Sequence, residues 1–211
     1  IEPIQGEGGI RTLDIEYLQQ LRTLCDEQNW LLMLDEVQCG IGRTGKWFAH
    51  QHAGILPDVM TLAKGLGSGM PIGACLTAGK AVNVFGPGNH GSTFGGNPLA
   101  CMAGITTLNV IEQDKLLAHA ESLGRFIQQA FTTQLEGVAG VVEIRGQGLM
   151  LGIELVKPCG DLVKLALANG LLINVTADNV IRLLPPLIMS QAEAQLLVDG
   201  LCPLIKDFLQ S

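Results

Sequence analysis

Apolar residues at three-to-four spacing mark the first element. Leu18, Leu21, Leu24 and Cys25 share one face behind Asp14, a residue suited to cap a helix. The pattern then changes to a continuous apolar run, Trp30-Leu31-Leu32-Met33-Leu34, closed by Asp35 and Glu36. Such a run predicts a buried parallel strand, because crossover helices cover both faces of a parallel sheet. Residues 58–63 and 72–77 predict two further strands, separated by glycine-rich segments. Helix followed by buried strand, with loops at the strand ends, places this part of the chain in the α/β class.

Asn97-Pro98 predicts a helix start, since Asn caps and Pro suits the first helical position. Another helix is expected from Asp114, burying Leu117, Ala120, Leu123, Ile127, Ala130 and Phe131. Beyond Gly137 the texture shortens. Residues 141–145, 149–156, 171–175 and 180–184 read as brief strands around a helix at 161–169. Ser190 and Glu193 stand at capping-box spacing and open a last helix bearing Leu196, Leu197, Leu201, Leu204 and Phe208. The change of texture sets the expected division: 1–136 in an α/β domain and 137–211 in a small α+β domain.

Composition excludes several function classes. Hydrophobic residues make up 47% of the 211 and charged residues 16%, which supplies a core and is far from the balance of a disordered chain. A net charge of −7 argues against a nucleic-acid surface, which needs clustered Lys and Arg. No apolar run approaches the roughly 20 residues that cross a bilayer, so no membrane span is expected. Six scattered cysteines without a CxxC pair fit free thiols in a reducing cytoplasm better than disulfides or zinc. The chain opens on Ile1-Glu2-Pro3 with neither an initiator Met nor a signal peptide, and is expected to be part of a longer protein.

Two nucleotide-binding motifs need testing. Gly40-Ile41-Gly42-Arg43-Thr44-Gly45 matches GxGxxG, and Gly40 to Lys46 matches the glycine and lysine positions of a P-loop. Trp47 stands where a P-loop needs Ser or Thr to hold magnesium. A Rossmann fingerprint follows its strand directly, yet Glu36, Val37, Gln38 and Cys39 intervene here, and Asp58 begins the next strand instead of ending it. His50 and His52 could suggest a metal, but no third ligand is spaced to join them. Arg145, before Gly146, reads as a turn or structural residue.

Asp35 and Lys64 form a different kind of constellation. Asp35 ends one expected strand, and Lys64 ends the next within Thr61-Leu62-Ala63-Lys64-Gly65-Leu66-Gly67. Adjacent parallel strands would put the acid and the amine at one edge, in a glycine-lined cleft. An ordinary salt bridge would also suit such a pair, but a lysine amid glycines has little apolar surface to lie against. Pyridoxal phosphate catalysis needs this pair. Lys supplies the Schiff base, and a carboxylate holds the pyridine nitrogen protonated so that the ring accepts electrons.

Longer strings agree with that chemistry. Glu2-Pro3-Ile4-Gln5-Gly6-Glu7-Gly8-Gly9, the stretch from Leu34 to Gly45, Ala63-Lys64-Gly65-Leu66-Gly67 and the stretch from His90 to Ala100 all resemble class III aminotransferases. Arg145 to Leu155 and Ile181-Arg182-Leu183-Leu184-Pro185-Pro186 continue the match in the family's order. Within the class the wording is most similar to the acetylornithine members. The resemblance implies a fold type I pyridoxal-phosphate transferase, mostly parallel sheet with helices. Residues 1–136 would then be the C-terminal part of its cofactor-binding large domain, and 137–211 its small C-terminal domain.

The resemblance also implies roles. Lys64 would carry pyridoxal 5'-phosphate and shuttle protons, Asp35 would bind the pyridine nitrogen, and Gln38 the ring's phenolic oxygen. Thr93, with Ser92, would reach the cofactor phosphate of a neighbouring subunit, which implies a homodimer with shared sites. Arg182 would hold the α-carboxylate of 2-oxoglutarate or glutamate, and Glu7 would pair with Arg182 when a diamine-type donor is bound. The implied reaction moves the terminal amino group of N-acetylornithine to 2-oxoglutarate in ping-pong fashion, a step of arginine biosynthesis. Related donors within the class are ornithine, succinylornithine and 4-aminobutyrate. An aminomutase of the same fold and a non-catalytic remnant compete with the transaminase. Joint retention of Asp35, Gln38, Lys64, Thr93 and Arg182 argues against a remnant. Cys39, Ser68 and Met70 depart from the family's commonest wording. The family's phosphate-cradling glycine segment, ring-stacking aromatic and second arginine would all lie upstream of Ile1.

Overall fold

The computed structural model of the chain describes residues 1–210. It contains two compact units, one built from Ile1–Ile4 and Leu13–Leu117, the other from Gln5–Thr12 and the chain from Ala118 onward. No helix among the described residues is long and apolar enough to cross a membrane.

In the first unit, helix α1 (Ile15–Glu27) is capped by Asp14, whose Oδ1 accepts from the Tyr17 amide at 3.1 Å. This cap satisfies one of the amides that a helix N-terminus leaves without a partner. Leu18 and Cys25 of α1 pack with Leu32, Leu34, Ala53 and Ile55. Strand β3 (Met33–Asp35) pairs in parallel with β4 (Val59–Leu62), and β5 (Ala74–Thr77) pairs antiparallel to β4. The sheet is therefore mixed, and its parallel pair ends in Asp35 on β3 and in Leu62 on β4, two residues before Lys64. Full burial of the 30–34 run is not realised in this chain. Leu32 and Leu34 are buried against α1, while Trp30, Leu31 and Met33 are exposed. Helix α2 (Pro98–Gln113) starts as expected, with Asn97 accepting from the Ala100 amide at 3.0 Å.

In the second unit, β6 (Val141–Gln147), β7 (Met150–Leu155), β9 (Val180–Leu183) and β8 (Asn174–Thr176) form an antiparallel sheet in that order. Helices α3 (Leu116–Gln134), α4 (Leu162–Ala168) and α5 (Gln191–Gln210) accompany it. Ile127 and Phe131 of α3, Leu149, Ile153 and Leu155 beside or on β7, and Val198, Leu201 and Ile205 of α5 belong to one buried cluster. Each such side chain contributes about 1.5–3 kcal/mol of burial. Ser190 and Glu193 close the expected capping box at the start of α5: the Glu193 carboxylate accepts from the Ser190 amide at 2.7 Å, and the Glu193 amide donates to Ser190 Oγ at 3.2 Å.

The division differs from an expected boundary at 136/137 in two respects. Helix α3 begins at Leu116, after Lys115 adopts φ 55°, and its apolar face belongs to the core of the second unit. The hairpin of β1 (Ile4–Gln5) and β2 (Arg11–Thr12) sends residues 5–12 to the second unit as well. Ile10 is fully buried there, 3.0 Å from where a Cβ on Gly152 would stand. A helix cannot be split midway between cores without exposing its stripe, so the boundary falls in the first turn of α3, between Leu117 and Ala118, and not after the helix.

Candidate active site

In the register of the parallel pair, Asp35 lies opposite Thr61, three positions before Lys64. The acid and the amine thus leave the same edge of the sheet, where crossover folds bind ligands. Asp35 is exposed, and its Oδ1 accepts from the Val37 amide at 2.9 Å. Lys64 opens a tight 3₁₀ turn, Lys64–Gly67, in the left-handed region at φ 47°. A non-glycine residue held there costs about 1–3 kcal/mol and persists only when its surroundings dictate it. Those surroundings are visible: Leu66 and Gly67 are buried, the Leu66 amide donates to the Ala63 carbonyl at 3.0 Å, and a Cβ on Gly67 would stand 2.7 Å from Ile72. Ser68 closes the turn at φ 48°. Lys64 is exposed and forms no ion pair among the described residues.

The loop after β3 is organised by a residue that no sequence motif singles out. Glu36 is completely buried, and its carboxylate accepts from the Ala49 amide (2.6 Å), the His50 amide (2.8 Å) and the His50 ring (2.8 Å). A buried carboxylate is costly unless it is bonded in this way. Burial, aided by the nearby Glu36, pushes the Cys39 thiol well above the ordinary thiol range. His52 faces Thr44 instead, with Nε2 3.1 Å from Oγ1, so the two imidazoles turn to different partners. The glycines of the GxGxxG string serve this loop. A Cβ on Gly40 would stand 2.7 Å from the Glu36 carbonyl, and Gly42 and Gly45 take φ 83° and 86°. In sequence Glu36 stands between Asp35 and Val37 with nothing to mark it as buried. Gln38, half-buried, lies in the same loop.

Ser92 and Thr93 are exposed in the turn leading into α2, where the Ser92 carbonyl accepts from the Gly95 amide at 3.2 Å. Among the described residues, neither is hydrogen-bonded to Asp35 or Lys64.

The second unit holds the other two assigned residues together. Arg182 of β9, its side chain 11% exposed, donates from Nη1 to Glu7 Oε1 at 2.6 Å. The Glu7 side chain is 73% exposed, and Thr176 Oγ1 donates to the Glu7 carbonyl. Arg145 takes a structural part. It donates to the carbonyls of Gly9 and Ile10 and to the carboxylates of Glu143 and Glu154, tying residues 5–12 to β6 and β7. The hydrogen bond from Arg145 holds the Glu154 carboxyl below the usual range.

Comparison with known proteins gives a consistent picture. The model of the family described as aminotransferase class-III matches residues 1–205. Acetylornithine aminotransferase 1 of Bordetella bronchiseptica is 60% identical over 209 residues, covering 99% of this chain and 53% of that protein. The acetylornithine aminotransferase of Elizabethkingia anophelis superposes with TM-score 0.89 at 37% identity, covering 98% of this chain and 56% of that one. The ornithine aminotransferase of Toxoplasma gondii, described with partial occupancy of PLP at its active site, superposes with TM-score 0.94 at 36% identity, covering 100% and 51%. The chain thus spans about half the length of the curated relatives it matches.

Proposed function

The chain belongs to the class III aminotransferases, and from that premise we propose that it is the lysine-bearing portion of an enzyme that moves the terminal amino group of N-acetylornithine to 2-oxoglutarate. The observation that carries the reading is Asp35 and Lys64 leaving one edge of a parallel strand pair. The choice of donor follows curated relatives named for acetylornithine, several of them 57–60% identical, over the ornithine-named structures at 34–37%.

The residues present fit pyridoxal phosphate. Among the described residues, Lys64 offers an exposed amine without an ion pair, and Asp35 an exposed carboxylate whose Oδ1 accepts from the Val37 amide. Lys64 would hold the cofactor through Nζ, Asp35 its pyridine nitrogen and Gln38 its ring oxygen. Ser92 and Thr93 would hold the phosphate on a partner subunit. The bound cofactor supplies an electron sink for negative charge on the substrate carbon. Lys64 Nζ, once free, carries the proton to and from that carbon. Borohydride reduction of the full-length holoenzyme, followed by peptide mapping, is expected to place the pyridoxyl group on Lys64. A label on Lys46 or Lys80 refutes the assignment, and a donor panel with 2-oxoglutarate separates N-acetylornithine from ornithine, succinylornithine and 4-aminobutyrate.

Arg182 and Glu7 sort the two substrates. N-acetylornithine presents a terminal amine, whereas glutamate presents an α-amine beside a carboxylate that an arginine fork would grip. With Glu7 on Arg182 the guanidinium is neutralised for the first; with Glu7 displaced it receives the carboxylate of the second. Glu7→Ala is expected to favour the glutamate half-reaction over the acetylornithine one, as a ratio of kcat/KM values. Arg182→Ala should lose 2-oxoglutarate and glutamate far more than N-acetylornithine. Equal losses in both half-reactions for both variants would make the pair merely structural.

A cytoplasmic homodimer completes the reading. The homodimer is supported by the family resemblance and by exposed Leu99, Met102 and Ile105 along one side of α2, apolar residues of the kind that interfaces cover. Light scattering of the full-length protein should give twice the chain mass; a monomer retaining full activity would exclude shared sites.

A further inference from the structure

We propose that Thr176 is the positioning residue that keeps Glu7 on Arg182, and that it thereby biases the enzyme between its two half-reactions; this rests on the reading of the Glu7–Arg182 pair given above. In the register of β8 with β9, Asn174 lies opposite Arg182 and Thr176 opposite Val180. Alternation along a strand therefore puts Thr176 and Arg182 on the same face of the hairpin. Thr176 is 5% exposed, and its hydroxyl donates to the Glu7 carbonyl while standing 3.5 Å from Glu7 Oε2. A hydroxyl carries one proton and cannot serve both acceptors at once. With the carbonyl engaged, the main chain at Glu7 is pinned, and its carboxylate accepts from Arg182 Nη1. Rotation of the Glu7 side chain alone then makes or breaks the pair.

The surroundings favour such a pin. Ala177 and Asp178 both adopt left-handed φ, 48° and 63°, within the tight three-residue turn, 177–179, that fixes Thr176 at the strand end. Gly9 has little lateral room, since a Cβ there would stand 3.3 Å from Val180 and 3.4 Å from Ala177. Beside Glu7 a surface depression of about 610 Å³, lined in part by Asn174, Thr176 and Asp178, offers space for a displaced carboxylate. Without the Thr176 hydroxyl, residues 6–8 drift and the Glu7 carboxylate spends less time on Arg182. The guanidinium is then more available to a substrate carboxylate and less masked for N-acetylornithine.

The test uses the full-length holoenzyme with Thr176→Val, which keeps the branched shape, and Thr176→Ser, which keeps the hydroxyl. Single-turnover measurements should show kcat/KM for N-acetylornithine falling about fivefold in the Val variant, the scale of one lost hydrogen bond. The value for 2-oxoglutarate should hold or rise, and the Ser variant should keep the wild-type ratio. Calorimetric titration with glutarate, an unreactive dicarboxylate, should show tighter binding to the Val variant by a similar factor. Should the Val variant fail to fold, Thr176→Ala must reproduce the same change of ratio. An equal loss in both half-reactions, or an unchanged ratio with unchanged glutarate affinity, overturns the proposal. Arg182→Ala run in parallel separates the two levels. If it leaves 2-oxoglutarate unaffected, the reading of the pair itself falls; if it impairs 2-oxoglutarate while Thr176→Val changes nothing, only the role of Thr176 falls.

Discussion

Asp35→Asn is expected to lower turnover of the full-length enzyme by about two orders of magnitude or more, the usual scale for removing one preorganised electrostatic partner. A carboxylate beside a pyridine nitrogen favours its protonated form, which an amide of the same shape does not. The fold should survive, because an Asn Oδ1 can still accept from the Val37 amide, the one bond the Asp35 side chain makes among the described residues. Much of the cofactor should remain bound as well, since Lys64 is untouched. Turnover, circular dichroism and the bound-cofactor spectrum measured on one preparation decide the matter. Near-normal turnover in a folded, cofactor-loaded Asp35→Asn enzyme would remove Asp35 from the mechanism.

The second large effect is one of stability. Gly124 lies in α3, and a Cβ there would overlap the carbonyl carbon and oxygen of Gly148 and stand 2.8 Å from its Cα. Gly148, at φ 55°, turns the chain between β6 and β7, so the obstacle is main chain and cannot rotate aside. Two terms compete in Gly124→Ala. Helix propensity favours alanine by about 1 kcal/mol. Overpacking against backbone costs about 1–3 kcal/mol and occasionally more, and an overlap this close lies at its upper end. The expected outcome is a net loss of roughly 2 kcal/mol or more, seen as a lower denaturation midpoint. Gly104→Ala in α2 is the control. Its nearest neighbours would be 3.6 Å and 3.8 Å away, so propensity should decide and stability should hold or rise slightly. If both variants behave alike, close packing of α3 on the β6–β7 turn is not what Gly124 provides.

Local signals in the sequence translated well. Asp14, Asn97 and Ser190 all cap their helices, because a cap depends on a few neighbouring residues and on nothing distant. The parallel pairing of β3 with β4 was readable from apolar runs and placed Asp35 and Lys64 at one edge. The two-sided burial expected of residues 30–34 was not realised, since Trp30, Leu31 and Met33 are exposed in this chain. Long-range placement was the least legible. Nothing in the local pattern of residues 5–12 says that they belong with a core formed mostly beyond residue 118. The Glu7–Arg182 pair was anticipated through family resemblance, and spacing alone would not have found it. Glu36 was missed because a buried acid looks, in sequence, like any exposed one. Lys64's left-handed backbone was equally invisible, as φ is dictated by the packing of Leu66 and Gly67 and not by lysine itself.

The clamp of Arg145 on residues 9 and 10 has a consequence for how the protein is born. Gly9 precedes its guanidinium by 136 residues, and Glu7 precedes Arg182 by 175. At about 5–20 residues per second of translation, residues 5–12 wait roughly ten to thirty seconds for their partners. Throughout that interval Ile10, fully buried at the end, has no cavity to enter. Loop closure over such separations is slow to be repaid, so this stretch should dock after β6, β7 and β9 have assembled. A nascent chain arrested before Arg145 emerges would then carry the 5–12 segment open to proteases and chaperones, while a chain released after Arg182 would protect it.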